Sequence, residues 1–383
     1  MEYTLIATST FGLESIVADE LRRLGYDELE VENGKVTFEG DEWDLATCNV
    51  WLRTADRILI KVKEFKAESF EELFQGTKEV DWAQYIPKNG KMHVVGKSIK
   101  SKLYSVPDCQ SIVKKAVVES MKREYKVDEF TEDGPTYKIE VALLKDIVTL
   151  TIDTTGPGLH KRGYRATAGE APLKETLAAS LVYLSKWHEN PERILADPLC
   201  GSGTILIEAA MMGRNIAPGL NRSFVAEDWK EIDKSVWTEV REYAKKKINN
   251  EKFRLLGSDI DGRVLSTARI NIERMGLEDN IAVQRLPVQE FSSNRKYGCI
   301  ITNPPYGERL GEAKEVEELY QDMGNVFKKL DTWSIFVLTS HPEFQKFYGK
   351  KSTKNRKLYN GRLQCYYYQY FGPLPPRRNK EEA

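Results

Sequence analysis

Four consecutive residues, Asn303-Pro304-Pro305-Tyr306, follow a short apolar run and are the part of the chain best suited to chemistry. Two prolines set φ near about −65° and remove two N–H donors, so the preceding Asn is held extended with its side chain facing outward. The Asn303 amide oxygen and the Pro304 carbonyl would then accept both hydrogens of an exocyclic amine on a nucleobase. Tyr306 offers a flat face on which that base could stack, a contact worth about 1–3 kcal/mol. An ordinary proline-rich turn with an Asn cap has the same composition, so the tetrapeptide alone leaves both interpretations open.

A second motif lies upstream, where a short apolar strand ends in Asp197 and a glycine-bearing turn leads into a helix. Glycine allows the backbone to approach a nucleotide closely, as it does in dinucleotide folds. Here, however, Leu206 occupies the third small-residue position, and Asp197 would repel a pyrophosphate. A carboxylate suits S-adenosylmethionine better, because that cofactor carries an ammonium and a sulfonium. The residues predicted to form this cofactor loop are Asp197, Cys200, Gly201, Ser202, Gly203 and Thr204.

The next predicted strand, residues 253–258, ends in a second acid, Asp259, followed by Ile260. Asp259 is placed to accept hydrogen bonds from both ribose hydroxyls, and Asp261 caps the helix that follows. Two acids on adjacent strand ends, a Gly-x-Gly turn and Asn-Pro-Pro-Tyr on a later strand together predict a methyltransferase that acts on an amine.

The elements that position these residues alternate as strand and helix from residue 172 to 338, which predicts a doubly wound, Rossmann-like α/β sheet. The preceding region alternates differently and predicts smaller α+β units, the first of them ferredoxin-like. The expected domains are 1–65, 66–155 and 156–383, with a hinge at Gly156-Pro157-Gly158. Other predicted elements are strands at 91–97, 137–143 and 146–153, helices at 13–24, 69–74, 110–125 and 235–249, and hairpins at Asn33-Gly34 and Asn360-Gly361.

Charge indicates a possible nucleic-acid partner only in local stretches of the sequence. With 57 Lys and Arg against 58 Asp and Glu, the net charge is −1, so the overall balance does not indicate a nucleic-acid partner. Residues 91–102 contain four lysines and no acid, and residues 344–380 contain ten basic residues and no acid. A solvated surface has the same composition, but tyrosines interleaved with the second tract favour RNA contact. Lys97, Lys100 and Lys102 are the predicted phosphate contacts, while the run Tyr366–Tyr368 is interpreted as structural.

Several classes of protein are not indicated. Five scattered cysteines without a C-x-x-C pair, and four histidines, predict neither a metal site nor a disulfide framework. No apolar run approaches the roughly 18 residues of a membrane span and no signal peptide is evident, so we expect a cytoplasmic protein.

The chain resembles the THUMP-domain class I RNA methyltransferases, most closely the family that methylates guanine N2 in 23S ribosomal RNA. The segments that carry the resemblance are 7–14, 159–165, 170–176, 197–208, 257–261 and 302–310. The resemblance implies that residues 66–155 are a THUMP module that grips structured RNA, either 23S rRNA or a large-subunit assembly intermediate. It adds Arg162, Arg165 and Arg309 to the expected substrate-binding residues.

Two departures limit what the resemblance implies. Bifunctional members continue into a second methyltransferase domain, whereas this chain stops at Ala383, so one methylation is expected. After the third strand, many relatives place an acid against the adenine amine, where this chain has Pro287-Val288-Gln289-Glu290. The backbone of Val288 or a neighbouring side chain could contact adenine, and that contact stays open.

Alternative functions share parts of this pattern. Enzymes that methylate adenine N6, guanine N2 in tRNA or a protein glutamine can use the same four-residue loop, and an RNA-binding scaffold without activity is a further class. The N-terminal RNA-gripping module favours an RNA substrate over DNA. The expected reaction is direct in-line transfer, with the rate arising from positioning and electrostatics.

Overall fold

The structure is a computed structural model that describes residues 2–165, 173–307 and 313–373. Its described residues form two compact units that interleave along the chain. The first unit draws on residues 1–9, 17–161 and 219–244, and the second draws on residues 10–16, 162–218 and 245–383.

The first unit is built on one seven-stranded sheet with the strand order β2-β3-β1-β4-β7-β6-β5. Its strands are β1 (Tyr3–Thr8), β2 (Glu30–Glu32), β3 (Lys35–Gly40), β4 (Arg57–Lys66), β5 (Lys91–Ile99), β6 (Thr136–Leu144) and β7 (Ile147–Asp153). The helices of this part of the chain are α1 (Glu14–Leu24), α2 (Glu42–Trp51), α3 (Phe70–Lys78) and α4 (Val106–Tyr125). The hairpin predicted at Asn33-Gly34 is confirmed, since β2 and β3 pair around Gly34 at φ +80°.

Local sequence signals explain where two of these helices begin. The side chains of Asp41 and Ser69 each accept a hydrogen bond from the N3 backbone N–H, of α2 and α3 respectively, and in each helix the N3 acid accepts one from the cap N–H. Helix α4 begins before the predicted residue 110, because Pro107 in its first turn loses no helical hydrogen bond there.

The second unit contains a seven-stranded sheet with the order β10-β9-β8-β11-β12-β14-β13. Its strands are β8 (Leu195–Asp197), β9 (Leu255–Asp259), β10 (Ile281–Arg285), β11 (Cys299–Thr302), β12 (Ser334–Thr339), β13 (Lys354–Asn360) and β14 (Leu363–Tyr370). The helices from here to the C-terminus are α5 (Glu175–Ser185), α6 (Thr204–Gly213), α7 (Lys234–Lys246), α8 (Gly262–Arg274), α9 (Ala313–Phe327) and α10 (Phe344–Tyr348). Most of α7 belongs to the first unit.

The predicted doubly wound α/β sheet is confirmed for the second unit. Strands β10, β9, β8, β11 and β12 are parallel, and β14 and β13 complete the sheet in antiparallel orientation. Helical layers cover both faces, so neighbouring residues of β11 face different cores: Ile301 packs with α5 and α6, and Ile300 packs with α9. This two-sided burial explains why β11 is apolar without alternation.

The segment 156–158, predicted as a hinge, is held by hydrogen bonds within the first unit, and the hinge stays a prediction. The Arg222 guanidinium donates to the carbonyls of Pro157, Gly158 and Lys161. In the same segment, Trp229 stacks on Tyr137 with ring centroids 4.7 Å apart. Residues 219–244 therefore pack on the end of the THUMP-like region, although they lie between α6 and β9 in sequence. The domain boundaries 1–65, 66–155 and 156–383 stay predictions.

The C-terminal tyrosines are structural, as expected from the hairpin signal at Asn360-Gly361. Strands β13 and β14 pair around Gly361 at φ +65°. Tyr367 is fully buried, and its hydroxyl donates to the carbonyl of Leu181 at 2.9 Å. None of the helices in the described part of the chain is long and apolar enough to span a membrane.

Candidate active site

The predicted site residues of the second unit gather at the carboxyl ends of β8, β9 and β11. Asp197 ends β8 and pairs in register with Gly257 of β9, while β11 lies on the other side of β8. In open α/β sheets this edge is where ligands bind. We call Asp197, Asp259, the loop 198–203 and the loop 303–306 the site edge.

Two glycines shape the loop between β8 and α6. Gly201 has φ +52° and Gly203 has φ +82°, a region that other residues rarely adopt. The loop closes on itself where the Gly203 N–H donates to the Cys200 carbonyl at 2.8 Å. A Cβ at Gly203 would lie 3.5 Å from Ala268 of α8, whereas a Cβ at Gly201 would meet only Val264 at 3.9 Å, so a ligand could approach the backbone closely at Gly201.

Neighbouring elements hold this loop in place. The Gly201 N–H donates to Asp259 Oδ2 at 3.0 Å, and Asn271 Nδ2 of α8 donates to the Ser202 carbonyl at 3.1 Å. Asn271 is 1% exposed, and its role was missed in the sequence. A polar residue on the buried side of a predicted amphipathic helix was the available signal.

Asp197 is a buried carboxylate without a cationic partner among the described residues. It is 2% exposed, and its Oδ1 accepts hydrogen bonds from the Thr302 hydroxyl at 2.7 Å and the Leu199 N–H at 3.2 Å. Burial raises the pKa of Asp197 to about 7, against the effect of these two hydrogen bonds. A buried acid in this state is suited to a ligand that brings its own positive charge. The ammonium of S-adenosylmethionine fits that requirement.

Asp259 ends β9 and Ile260 follows it, and the two side chains have different surroundings. The two Asp259 oxygens accept the backbone N–H groups of Gly201 and Asp261 at 3.0 Å each, so the carboxylate already orders the loop predicted to hold the cofactor. Ile260 is 62% exposed beside it and could pack on a flat ligand. Val288 is buried, and its carbonyl accepts the Phe291 N–H at 3.1 Å. The contact to adenine stays open.

The loop after β11 carries the predicted acceptors and follows Thr302, whose hydroxyl hydrogen-bonds to Asp197. Asn303 and Tyr306 are half-buried and Pro304 is buried. The Tyr306 hydroxyl donates to Asn303 Oδ1, so one lone pair of the amide oxygen is engaged and the second can accept a further hydrogen. In this state the Tyr306 ring also packs against the apolar core on the α5 and α6 side of the sheet. The ring would have to turn outward to stack on a base as predicted.

A chain of hydrogen bonds from α9 and the end of β12 holds this loop. The sequence did not predict it. Tyr320 of α9 is fully buried, and its hydroxyl donates to the Pro305 carbonyl at 2.9 Å. The same hydroxyl lies 2.9 Å from Thr339 Oγ1, which accepts the His341 N–H at 3.1 Å. Tyr320 therefore contacts the Pro305 carbonyl directly, and Thr339 and the His341 N–H extend the chain behind it. Burial raises the pKa of Tyr320 to about 12, so it stays a donor at all working pH values.

The arginines expected to bind substrate differ in their burial and in their partners. The Arg162 side chain is 1% exposed and pairs with Glu208, which is itself fully buried in α6. Its burial disfavours the predicted RNA contact, because a phosphate cannot reach it. Arg165 pairs with Glu175 and donates to Thr204 Oγ1 at 3.2 Å, which braces the first residue of α6. Arg309 lies outside the described residues.

The lysines expected to contact phosphates lie in the first unit and already have acidic neighbours. Lys97 pairs with Glu140 at 2.7 Å, and Lys102 pairs with Glu68. Lys100 makes no ion pair with the residues that the structure describes. The stretch 91–102 is free of acids in sequence, but adjacent segments supply them in space.

Three family profiles match consecutive parts of the chain. An RMKL-like methyltransferase domain covers residues 162–369, an RlmL ferredoxin-like domain covers residues 4–59, and a THUMP domain covers residues 67–153. Together they match the architecture expected from the sequence, with α+β units preceding a Rossmann-like catalytic domain.

Relatives with high coverage belong to the same group. A candidate RNA methyltransferase of Bacillus subtilis, YpsC, is 52% identical over 100% of this chain and 99% of its own length. The ribosomal RNA large subunit methyltransferase K/L of Shewanella baltica (strain OS155) is 34% identical over 94% of this chain. The chain spans about half of the K/L protein, with 52% of its length matched.

Solved structures agree with the fold and with the cofactor. A crystal structure from Listeria monocytogenes, described as a "predicted N6-adenine-specific DNA methylase", is 51% identical with a TM-score of 0.92 and covers 97% of each chain. The candidate methyltransferase SMU.472, complexed with SAH, is 45% identical with a TM-score of 0.91 and covers 98% of this chain and 99% of its own. SAH is the product that S-adenosylmethionine becomes after it donates its methyl group.

Proposed function

The chain belongs to the RlmKL-like family of S-adenosylmethionine-dependent RNA methyltransferases, and from this premise we propose that it methylates the exocyclic N2 amine of a guanine in 23S ribosomal RNA. Its RNA substrate follows from the THUMP domain and the family, and its cofactor is S-adenosylmethionine. The choice of guanine N2 and of 23S rRNA rests on the K/L relatives, of which this chain spans about half.

One contact carries the proposal of amine chemistry. The Thr302 hydroxyl donates to Asp197 Oδ1 at 2.7 Å and so joins the loop of the cofactor to the loop of the acceptors. Because of this contact, the loop that carries the Asn303 amide and the Pro304 carbonyl begins next to the carboxylate that would hold the cofactor ammonium. Two neutral acceptors there suit an amine, whose two hydrogens need partners while its lone pair points at the methyl group.

The roles of the remaining residues follow from their placement. S-adenosylmethionine supplies a methyl group on a positively charged sulfur. Asp197 would hold the ammonium, the backbone from Cys200 to Thr204 would pack on the methionine part, and Asp259 with Ile260 would contact the ribose and base. Asn303 orients the target amine, and no strong general base is needed because the nitrogen becomes acidic only after it carries the new bond. Tyr306 would stack on an extruded base.

Adenine N6 is the main alternative, since the same acceptors would hold that amine and the Listeria relative is described in those terms. The THUMP domain favours RNA over DNA but does not separate the two bases. Mass mapping separates them. Ribosomal RNA and tRNA from a strain lacking the gene should be incubated with the protein and cofactor, digested and compared with untreated samples.

The proposal predicts one N2-methylguanosine in 23S rRNA, absent when Asn303→Ala protein is used. N6-methyladenosine instead, or modification confined to tRNA, would overturn the assigned substrate while leaving the amine chemistry intact.

A further inference from the structure

A strip of apolar side chains lies exposed at one end of the sheet in the first unit. Ile99 of β5 pairs with Leu144 of β6, which pairs with Ile147 of β7. Residues paired across strands point to the same face, so the three side chains are contiguous. They are 53%, 54% and 39% exposed. Single exposed aliphatic residues are common, but three neighbours across three strands form a patch that indicates a binding surface.

Tyr104 lies on the loop that follows β5, and the bond from the Lys102 N–H to Asp146 ties this loop to the β6–β7 turn beside the strip. It is 84% exposed, more than any other large apolar side chain in the described ranges. We call Ile99, Tyr104, Leu144 and Ile147 the apolar rim.

Hydrogen bonds hold the rim together before any ligand binds. The Lys102 N–H donates to Asp146 Oδ1 at 2.7 Å, and the Asp146 N–H donates to Ser101 Oγ at 3.0 Å. The Lys145 N–H donates to the Ile99 carbonyl at 3.1 Å. The loop that carries Tyr104 is therefore tied to the β6–β7 turn, and a ligand would bind a surface that is already ordered.

Basic and acidic side chains both surround the rim. The basic residues within it and around it are Lys66, Lys97, Lys100, Lys102 and Lys145, and the acids include Glu68, Glu72, Glu140 and Asp146. Lys66 and Lys102 share a single acid, Glu68. Lys100 and Lys145 make no ion pair with any residue in the described ranges. Their ammonium groups are available to an anionic partner.

An exposed aromatic ring, apolar neighbours and unpaired lysines together suit a partner that is flat and anionic. Unpaired nucleotides have both properties, since every base has a face that stacks and every linkage carries a charge. A protein partner fits less well, because lysine is depleted at the core of protein interfaces. A regular duplex fits less well too, because its bases are stacked on each other.

We propose that the apolar rim binds unpaired nucleotides of the RNA substrate, with a base stacked on Tyr104 and phosphates at Lys100 and Lys145. The inference rests on the proposed function only in requiring an RNA substrate, and it holds whichever base is methylated.

The test compares two RNA probes on the full-length protein by fluorescence anisotropy at one salt concentration. The first is a labelled single-stranded octauridylate and the second is a blunt RNA duplex. Tyr104→Ala should weaken octauridylate binding by about tenfold and duplex binding by less than twofold, since a stacking contact is lost only with the single strand. Tyr104→Phe retains a ring and should bind octauridylate as the wild type does.

Tyr243→Ala is the matched control, because Tyr243 is 47% exposed and lies in the same unit away from the rim. It should leave both affinities unchanged, and all variants should bind S-adenosylmethionine as the wild type does, which reports that they are folded. Equal losses on both probes, or no loss from Tyr104→Ala, would overturn the proposal, and the latter would favour a protein partner for the rim. The methylated base is mapped in a separate experiment. An error in the guanine assignment would therefore not be mistaken for an error in assigning RNA binding to the rim.

Discussion

The site edge and the apolar rim differ in how their polar groups are used. At the site edge, Asp197, Asp259 and Asn303 each accept hydrogen bonds from neighbouring groups in the same unit. At the rim, Tyr104 points to solvent and Lys100 has no ion-pair partner in the described ranges. Preorganised polar groups stabilise developing charge without reorganisation. An exposed ring and flexible lysines, in contrast, can bind RNA of many sequences. We infer that the site edge determines the reaction and that the apolar rim contributes affinity for RNA.

Loss of the Asn303 amide should have the largest effect on turnover. Asn303→Ala removes an acceptor for the target amine and leaves the cofactor loop intact, so kcat should fall by at least about 100-fold, the cost of losing one preorganised polar group at a reacting centre. The affinity for S-adenosylmethionine should change by less than about twofold. Single-turnover rates and calorimetry measure the two quantities. A variant that kept more than about a tenth of the wild-type rate would refute the orienting role.

Asp197→Ala should have the next largest effect, on cofactor affinity. A hydrogen bond to a charged group contributes about 1.5–3 kcal/mol, which corresponds to roughly a 10- to 100-fold increase in Kd. Asp261→Ala is the control, because Asp261 is a partly exposed acid that caps α8 close by. Calorimetry on both variants checks this. An unchanged Kd in Asp197→Ala would exclude the acid from the cofactor site.

The pH dependence of cofactor affinity should report the same carboxylate. Burial raises the pKa of Asp197 to about 7 from 3.8, so the free protein holds a proton there at lower pH. A cationic ligand must displace that proton. The Kd for S-adenosylmethionine should therefore fall by up to about tenfold per pH unit between pH 5 and 7, then level off. The slope should vanish in Asp197→Asn, and a slope that persisted would assign the titration to another group.

Tyr320→Phe tests whether the hydrogen-bond chain under the acceptor loop contributes to rate. It removes the donor to the Pro305 carbonyl and keeps the ring, so we expect kcat to fall about 2- to 10-fold with little change in cofactor affinity, from a hydrogen bond of ~0.5–1.5 kcal/mol. Tyr348→Phe is a matched control, since that ring packs on the same Phe344. Equal kcat values in the two variants would restrict Tyr320 to packing.

The smallest effects should come from the lysines predicted to bind phosphates. Lys100→Gln should lower the salt slope of RNA binding by up to about 0.9, taking B-DNA as the guide. Lys97→Gln should lower it less, because Lys97 must leave Glu140 before it can meet a phosphate. Equal slopes for both variants and the wild type would show that neither contacts RNA.

The sequence predicted the neighbours of the site-edge residues better than the partners of the lysines expected to bind RNA, and the reason is physical. Asp197, Gly201 and Asn303 follow strands that any parallel sheet brings to one edge, so their neighbourhood follows from topology. The partners of Lys97 and Lys102 lie 43 residues later and 34 residues earlier in the chain, on elements whose register the sequence does not specify. For the same reason Tyr320 was missed, since its target carbonyl is set by how α9 packs.

The sequence also did not predict the contacts that hold residues 156–161. These contacts affect how RNA binding and methyl transfer can be tested separately. Arg222 and Trp229 lie between α6 and β9, where the sequence predicted only the helix 235–249, yet they belong to the first unit. A fragment beginning at residue 160 would leave these residues without their partners. Point variants of the full chain are therefore the appropriate tests.

Asp197 is proposed to bind the cofactor and Asn303 to orient the amine, and one measurement tests both roles. Single-turnover methylation of rRNA from a strain lacking the gene should be followed at increasing S-adenosylmethionine with Asp197→Ala and Asn303→Ala protein. High cofactor concentration should restore most of the rate to Asp197→Ala and none to Asn303→Ala. Restoration of Asn303→Ala by the cofactor would contradict the role assigned to Asn303.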